Sequence, residues 1–460
     1  MKFKFLGGVR TVTGSCFYLE CNKIKILVDS GIYQGENADE INRAAFDFQP
    51  HEIDYIFITH AHLDHSGMVP RVVKEGFHGK IITTPATRDL LELMLYDAAH
   101  IQESDTEWAN RKAIRAGKPE VVPLYTIDDA KAVIPLFDVK PYDEIFHLGN
   151  GMKYRFLDAG HILGSGTLEL WYQDSEKEKK IVFSGDIGKK GNPIIRDPNT
   201  PVESDFVVME STYGNRLQKT LKESIDELAG AIKTTFKKGG NVFIPSFAVG
   251  RTQDLLYILN NLVKEKKLKD LHVYLDSPLA EEVTKVYLAH PEIFDEEARE
   301  QFRTDGFGET IRLHFVQTVE QSMAINRIKS GIIVIAGSGM CEGGRMRHHL
   351  KHNLWRRECS VVFVGFQGKG TLGRQIVDGA KTVQMFGDDI AVRAAIFTIN
   401  GFSAHADQAE LLAWVSCFKD SPEVFIVHGE EEVAVSFGEL VKEKFGFVTH
   451  VPAKGDAFDI

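Results

Sequence analysis

The chain has few cysteines, and they are badly placed for the usual uses of sulfur. Cys16, Cys21, Cys341, Cys359 and Cys417 are odd in number and form no CxxC pair, which argues against a disulfide framework and a thiolate zinc site. Any metal must then rest on histidine and carboxylates. Long apolar runs are also missing: none approaches the roughly 20 residues of a membrane-spanning helix. The opening MKFKFLGGVRTVTGS has neither the apolar stretch nor the small-residue cleavage site of a signal peptide. The expected location is cytoplasmic, with no membrane partner. Positive charge is in deficit. A formal net charge of -11 disfavours a long non-specific groove for polyanions and is silent about a local basic rim. Repeats and low-complexity segments are absent as well.

What is present is ordinary globular material, 43% hydrophobic and 26% charged. At 460 residues the chain exceeds the roughly 250 to 300 that one core holds, so two domains, or one with a large insertion, are expected. Short β-branched and aromatic runs alternate with amphipathic ones, the pattern of an α/β protein. KIKILV, YIFIT, KIIT, MKYRFLD, LELWY and KIVFS predict strands; RDLLELMLYDAAHIQESDTEWANRKAI and SGMVPRVVKEG predict helices. After DFVVME the alternation of strand and helix becomes strict, through NVFIPSF, LHVYLDS, IRLHFVQ, GIIVIAG and SVVFVGFQ, and predicts a parallel sheet covered on both faces. Residues 208–390 are therefore expected to form a second α/β domain. The tail, 391–460, offers too little for its own core and should complete the domain begun by 1–207, making the middle an insertion.

The stretch THAHLDHSG, residues 59–67, carries His60, His62, Asp64 and His65 directly after the apolar run YIFIT. An isolated HxH is usually solvated loop. Here Asp29 follows KIKILV, His161 follows YRFLDAG, Asp186 follows IVFSG and His428 follows EVFIV. Each sits at a predicted strand exit, where chain segments converge on a sheet edge. His60 and His62, two apart in an extended turn, can face one ion, and Asp64 and His65 another. Imidazole nitrogen and carboxylate oxygen suit zinc, and manganese or iron suits the same ligands. Alone, His161 in GHILGSG and His428 in VHGE would equally be histidines satisfied in a core.

The ordered set Asp29, THAHLDH, GHILGS, SGDIG resembles the metallo-β-lactamase fold, and ESTYG, GFSAHAD and IVHGE resemble the extra motifs of its β-CASP branch of nucleases. The resemblance covers nearly the whole chain. It implies an αββα sandwich with an inserted parallel α/β domain and two zinc ions. His60, His62 and His161 would hold one ion, Asp64, His65 and His428 the other, with Asp186 bridging and Asp29 orienting the histidine loop. Asp64, Glu210 and His405 are the candidate catalytic residues. The expected activity is hydrolysis of phosphodiester bonds in single-stranded RNA by a hydroxide that the two zincs activate. His405, oriented by Glu210, would contact the scissile phosphate and protonate the leaving group; a phosphate anchor or a structural histidine is the rival role. The histidine in IVHGE is typical of RNA-acting relatives, an inference by analogy. A two-zinc hydrolase of a small ester, thioester or lactone is the alternative, and it leaves the inserted domain without work.

Fewer signals bear on substrate contact. Arg251, Arg345 and Ser403 are candidate phosphate contacts, although such arginines as often cap or pair. His348, His349 and His352 in RHHLKHN, at helical spacing, read as a solvated or interface face. GFQGKGTLGR is not a P-loop, because two residues, not four, separate Gly365 from Gly368 and Lys369. The chain begins at its first strand and stops soon after FGFVTHVPAKG, so the flanking domains many relatives carry are not expected here. A small basic patch or a partner protein is therefore expected to position RNA, and both a monomer and a homodimer are compatible.

Overall fold

The β-branched and aromatic runs form strands and the amphipathic runs form helices in the computed structural model, which describes residues 1–174, 177–305, 310–368 and 370–460. Two compact units result. Met1–Lys190, Asp197–Leu217 and His405–Ile460 make the first; Gly191–Arg196 and Gln218–Ala404 make the second.

The first unit holds two seven-stranded sheets among its described residues. One runs in the order Ala457–Asp459, Lys2–Gly7, Cys16–Cys21, Ile24–Val28, Tyr55–Phe57, Lys80–Thr83, Phe137–Val139. The other runs Val448–His450, Glu423–Val427, Phe206–Glu210, Lys177–Phe183, Gly166–Asp174, Met152–Asp158, Phe146–Gly149. Their inner faces meet in an aromatic core. Phe3 of one sheet packs edge-on against Phe183 and Phe425 of the other, with centroids 5.8 and 5.6 Å apart. Strand alternation does the sorting: Phe57 and Ile82 enter this core, while Ile56 and Ile81 are buried on the opposite face. Outside the second sheet, Leu411, Trp414 and Phe437 from helices Gln408–Val415 and Glu431–Phe445 cover Val207, Met209 and Ile426.

The second unit contains a six-stranded sheet, parallel at every pairing: Arg312–Phe315, His272–Asp276, Ile332–Ala336, Val242–Pro245, Ser360–Phe363, Ala395–Thr398. Apart from the short passage Gly191–Arg196, the chain crosses between units after Leu217 and after Ala404, later than positions 207 and 390. Phe206–Glu210 pairs with Lys177–Phe183 and Glu423–Val427, which ties it and residues up to Leu217 to the first unit. Ala395–Thr398 pairs with Ser360–Phe363 and stays with the second.

SGMVPRVVKEG, expected as one helix, is helical over Val69–Lys74, with Pro70 in its first turn where no N–H is needed; the short helix Leu63–Ser66 precedes it and ends at Ser66. Short strands such as Phe137–Val139 and Asp388–Ala391 are too brief and too exposed to show a period of two.

Candidate metal centre

The donors converge because several strands of the first unit end at matching edges. Ile24–Val28 and Tyr55–Phe57 run parallel, so Asp29 and the histidine loop leave on one side. Lys177–Phe183, Phe206–Glu210 and Glu423–Val427 are also mutually parallel, and they release Asp186, Glu210 and His428 together. His62 is extended and Leu63–Ser66 turns helical immediately after it. This change of backbone separates His60 and His62 from Asp64 and His65.

Two donor groups lie side by side, His60, His62, His161 and Asp186 in one, Asp64, His65 and His428 in the other, and a third set, Asp186, Glu210 and His428, overlaps them; the ligand atoms in each lie within 4.8 Å of one another. In the first, His62 Nδ1 lies 3.1 Å from His60 Nε2 and 3.3 Å from His161 Nε2. Asp186 Oδ2 lies 3.4 Å from His60 Nε2 and 3.5 Å from His161 Nε2. Donors held about 2.0–2.1 Å from a tetrahedral zinc stand about 3.3–3.4 Å apart. The spacing is that of a coordination shell. Asp186 Oδ1 turns to the second group, 3.3 Å from His65 Nε2 and 3.5 Å from His428 Nδ1, and His428 Nε2 is 3.5 Å from Asp64 Oδ2. His65 Nε2, His428 Nε2 and Asp186 Oδ1 are buried without a hydrogen bond. Buried polar atoms without partners are costly, and here they point among one another where a cation would satisfy them.

Neighbours hold the ligands in place. Asp29 Oδ2 accepts from His65 Nδ1 at 2.7 Å and from Thr59 Oγ1 at 2.9 Å, while Oδ1 accepts the Thr59 N–H at 2.8 Å. His428 Nδ1 lies 3.1 Å from Thr212 Oγ1, and the His161 N–H donates to Ser165 Oγ at 3.0 Å. Gly31 is needed because a Cβ there would sit 1.6 Å from the Asp64 carbonyl oxygen. Thr59, Thr212, Ser165 and Gly31 had no sequence role, although Thr59, Thr212 and Ser165 lie inside quoted motifs.

Charge states follow from these surroundings. Burial, followed by the field of His60, lowers the His62 pKa to about 3; burial also lowers His60, and lowers His161 well below its usual value. All three are neutral imidazoles, the form that donates to metal. Burial opposes charge on His65, but Asp186 and Asp29 raise its pKa well above the ordinary value. Asp186 is held well below the carboxylate range; burial works against this, and His428 and His65 outweigh it.

Beside the donors, His405 Nδ1 lies 3.2 Å from Glu210 Oε1 and 3.9 Å from Asp186 Oδ2. Glu210 is fully buried, fixed by the N–H groups of Ile187 at 2.7 Å and Thr212 at 3.2 Å. Burial penalises the charged ring, yet the carboxylates of Glu210 and Asp186 raise the His405 pKa to about 9. These carboxylates favour the protonated ring.

The remaining candidates lie in the second unit. The Arg345 guanidinium is spent on protein, 2.5 Å from Asp276 Oδ1 and 2.7 Å from the carbonyls of Val316 and Gln317. Arg251 Nη1 is 3.8 Å from Asp254 Oδ2, and Ser403 is buried after the turn Asn400–Phe402. RHHLKHN is not a solvated face throughout: His349 is fully buried, with Nε2 2.6 Å from Asp276 Oδ2, because its helix packs on Val242–Pro245 and Ile332–Ala336. Lys369 of GFQGKGTLGR lies outside the described residues.

Fold and donor set together define a metal-dependent hydrolase scaffold. The family model for the metallo-beta-lactamase superfamily matches residues 9–230, that for the Beta-Casp domain 252–376, and that for the Zn-dependent metallo-hydrolase RNA specificity domain 389–452. The chain belongs to the metallo-β-lactamase superfamily, in its β-CASP branch. It is 34% identical to "Ribonuclease TTHA0252" of Thermus thermophilus, over 96% of each chain. It is 32% identical to "Transcription termination factor FttA" of Pyrococcus abyssi, over 97% of this chain and 69% of that one. The "RNase J-like protein" of Methanocaldococcus jannaschii is 29% identical over 99% of both. A crystal structure of a protein of unknown function from Enterococcus faecalis V583 shares the fold, with a TM-score of 0.57 at 11% identity over 99% of each chain.

Proposed function

We propose that the chain is a two-zinc ribonuclease that hydrolyses phosphodiester bonds of single-stranded RNA. The observation that carries this reading is the juxtaposition of two donor groups sharing Asp186 with a buried Glu210 and His405 pair. His60, His62 and His161 would hold one ion and Asp64, His65 and His428 the other, with Asp186 between them. Two bound zinc ions would supply an activated water and Lewis acidity toward a phosphate. Asp29 keeps the Nδ1 proton of His65 engaged, leaving Nε2 as its donor atom. Thr212 fixes the ring of His428.

Cleavage also needs a proton for the departing alkoxide. His405 is the group for this: Glu210 holds Nδ1, so Nε2 delivers the proton. A thioester expels a thiolate, a better leaving group than an alkoxide of ribose, and needs such a donor less. The relatives named as ribonucleases, and the match to an RNA specificity domain, support RNA as the substrate. Arg345 is not assigned to the phosphate, because three of its five N–H donors are engaged by Asp276, Val316 and Gln317.

The test is metal analysis with digestion of 5′-labelled single-stranded RNA and matching DNA, comparing wild type with His62→Ala. Close to two metals per chain, RNA cut and DNA spared, with both metal and activity reduced by the substitution, is the expected result. Two metals with turnover of a thioester or lactone, and RNA left intact, would replace this reading with the small-molecule one.

A further inference from the structure

The parallel sheet of the second unit has a topological switch point. From Val242–Pro245 the chain leaves toward His272–Asp276 and Arg312–Phe315, whereas from the adjacent Ile332–Ala336 it leaves toward Ser360–Phe363 and Ala395–Thr398. In open α/β sheets ligands bind in the crevice outside the strand ends where connections diverge in this way. Three loops border this crevice, 246–250, 337–343 and 364–368. Two of them expose a phenylalanine: Phe247 is 48% and Phe366 39% accessible.

The rings sit on a braced platform. A Cβ on Gly339 would come within 2.9 Å of the Phe247 ring, so the ring lies directly on glycine backbone of the neighbouring loop. Thr252 Oγ1 donates to the Phe247 carbonyl at 2.7 Å. Gln367 Nε2 donates to the carbonyls of Gly339, Gly365 and Phe366 at 3.0, 3.3 and 3.1 Å, tying the Phe366 loop to the same glycine loop. Exposed aromatic rings on rigid backbone stack unpaired bases well.

We infer that Phe247 and Phe366 form a base-stacking platform for single-stranded RNA at this switch point. The inference rests on the ribonuclease reading for the identity of the ligand. The side-chain amide of Gln367, next to the Phe366 ring, is committed to carbonyls, so the platform takes the faces of bases. Sequence preference at these positions should be weak.

The test titrates octauridylate, and an abasic ribose-phosphate strand of equal length, into full-length protein carrying His62→Ala to prevent turnover. Phe247→Leu and Phe366→Leu, which keep apolar bulk but lose the π face, should each weaken octauridylate binding about tenfold, while Phe247→Trp retains it. The abasic strand should bind wild-type and leucine forms equally and more weakly. In metal-loaded enzyme the leucine variants should raise KM for RNA, with metal content unchanged. Equal octauridylate affinity in the presence and absence of the rings, or abasic binding as tight as the base-containing strand, overturns the platform. If RNA is cut but the leucine variants bind normally, the platform fails and the ribonuclease reading stands. If binding depends on the rings but no RNA is cut, the platform stands and the ribonuclease reading fails.

Discussion

Replacing Asp29 by asparagine isolates what holds one metal ligand in its donor state. In the wild type the carboxylate accepts three hydrogen bonds, from the Thr59 N–H, the Thr59 hydroxyl and His65 Nδ1. An asparagine of the same shape keeps its oxygen on the Thr59 N–H and presents an NH2 to His65 Nδ1. That ring must then accept through Nδ1 and carry its proton on Nε2, the atom that faces Asp186 Oδ1 at 3.3 Å. A ligand protonated on its donor nitrogen cannot coordinate. A buried charge-assisted hydrogen bond is worth about 1.5–3 kcal/mol, in accord with the roughly 10–100-fold loss of metal affinity typical of changes to groups behind the ligands. Competition against a chelator with Asp29→Asn protein should show one of two metals weakened by about that factor. The other, served by His60, His62 and His161, should be retained. Binding of both metals at wild-type strength would refute the claim that Asp29 sets the tautomer.

Other outcomes follow from the same geometry. Glu210→Gln should lower kcat by about 100-fold or more with metal content intact, since it disarms the orientation and charge of His405 without touching a proposed ligand; loss of metal instead would make Glu210 a ligand. Gly31→Ala should empty the second donor group, measured as metal per chain, because its Cβ would displace the Asp64 backbone. Asp276 is lowered in pKa: burial opposes this, and bonds from His349, Ser322 and Arg345 prevail. Its stabilisation is therefore present above its unfolded pKa near 4 and lost as pH falls through the lower folded value. Asp276→Ala should cost about 3 kcal/mol or more at pH 7 by denaturant titration, and less at pH 3.

The clustering of the candidate donors was legible in the sequence because they are strand-exit residues bunched in short motifs, and apolar runs locate strand exits well. Asp29, His60, His161, Asp186 and His428 each follow such a run. What lay hidden were groups whose meaning depends on a distant partner. Thr212 looks like any polar loop residue until Glu423–Val427 pairs beside Phe206–Glu210 and delivers His428 to it. His349 reads as one of three histidines on a basic helix, and only packing on the sheet shows it buried against Asp276. Arg345 follows a glycine-rich turn, as a phosphate-binding arginine does, but strand His272–Asp276 places a carboxylate under it. The unit crossings were misplaced for the same reason: pairing partners of Phe206–Glu210 and Ala395–Thr398 are remote in sequence.

The order in which the chain assembles its donors separates the two donor groups. Residues up to Asp186 supply His60, His62, His161 and Asp186, all from the first stretch of the chain. The second group is incomplete until Glu423–Val427 inserts beside Phe206–Glu210 and brings His428. His428 has φ 47, a left-handed conformation that asparagine tolerates better than alanine, so His428→Asn removes the ligand with little backbone cost. It should leave about one metal per chain, held by the first group, with RNA cleavage abolished. His161→Ala should instead weaken the first metal while Asp64, His65 and His428 keep theirs. Loss of both metals together from either variant would show that Asp186 couples the groups into one site, because neither half then holds an ion without the other.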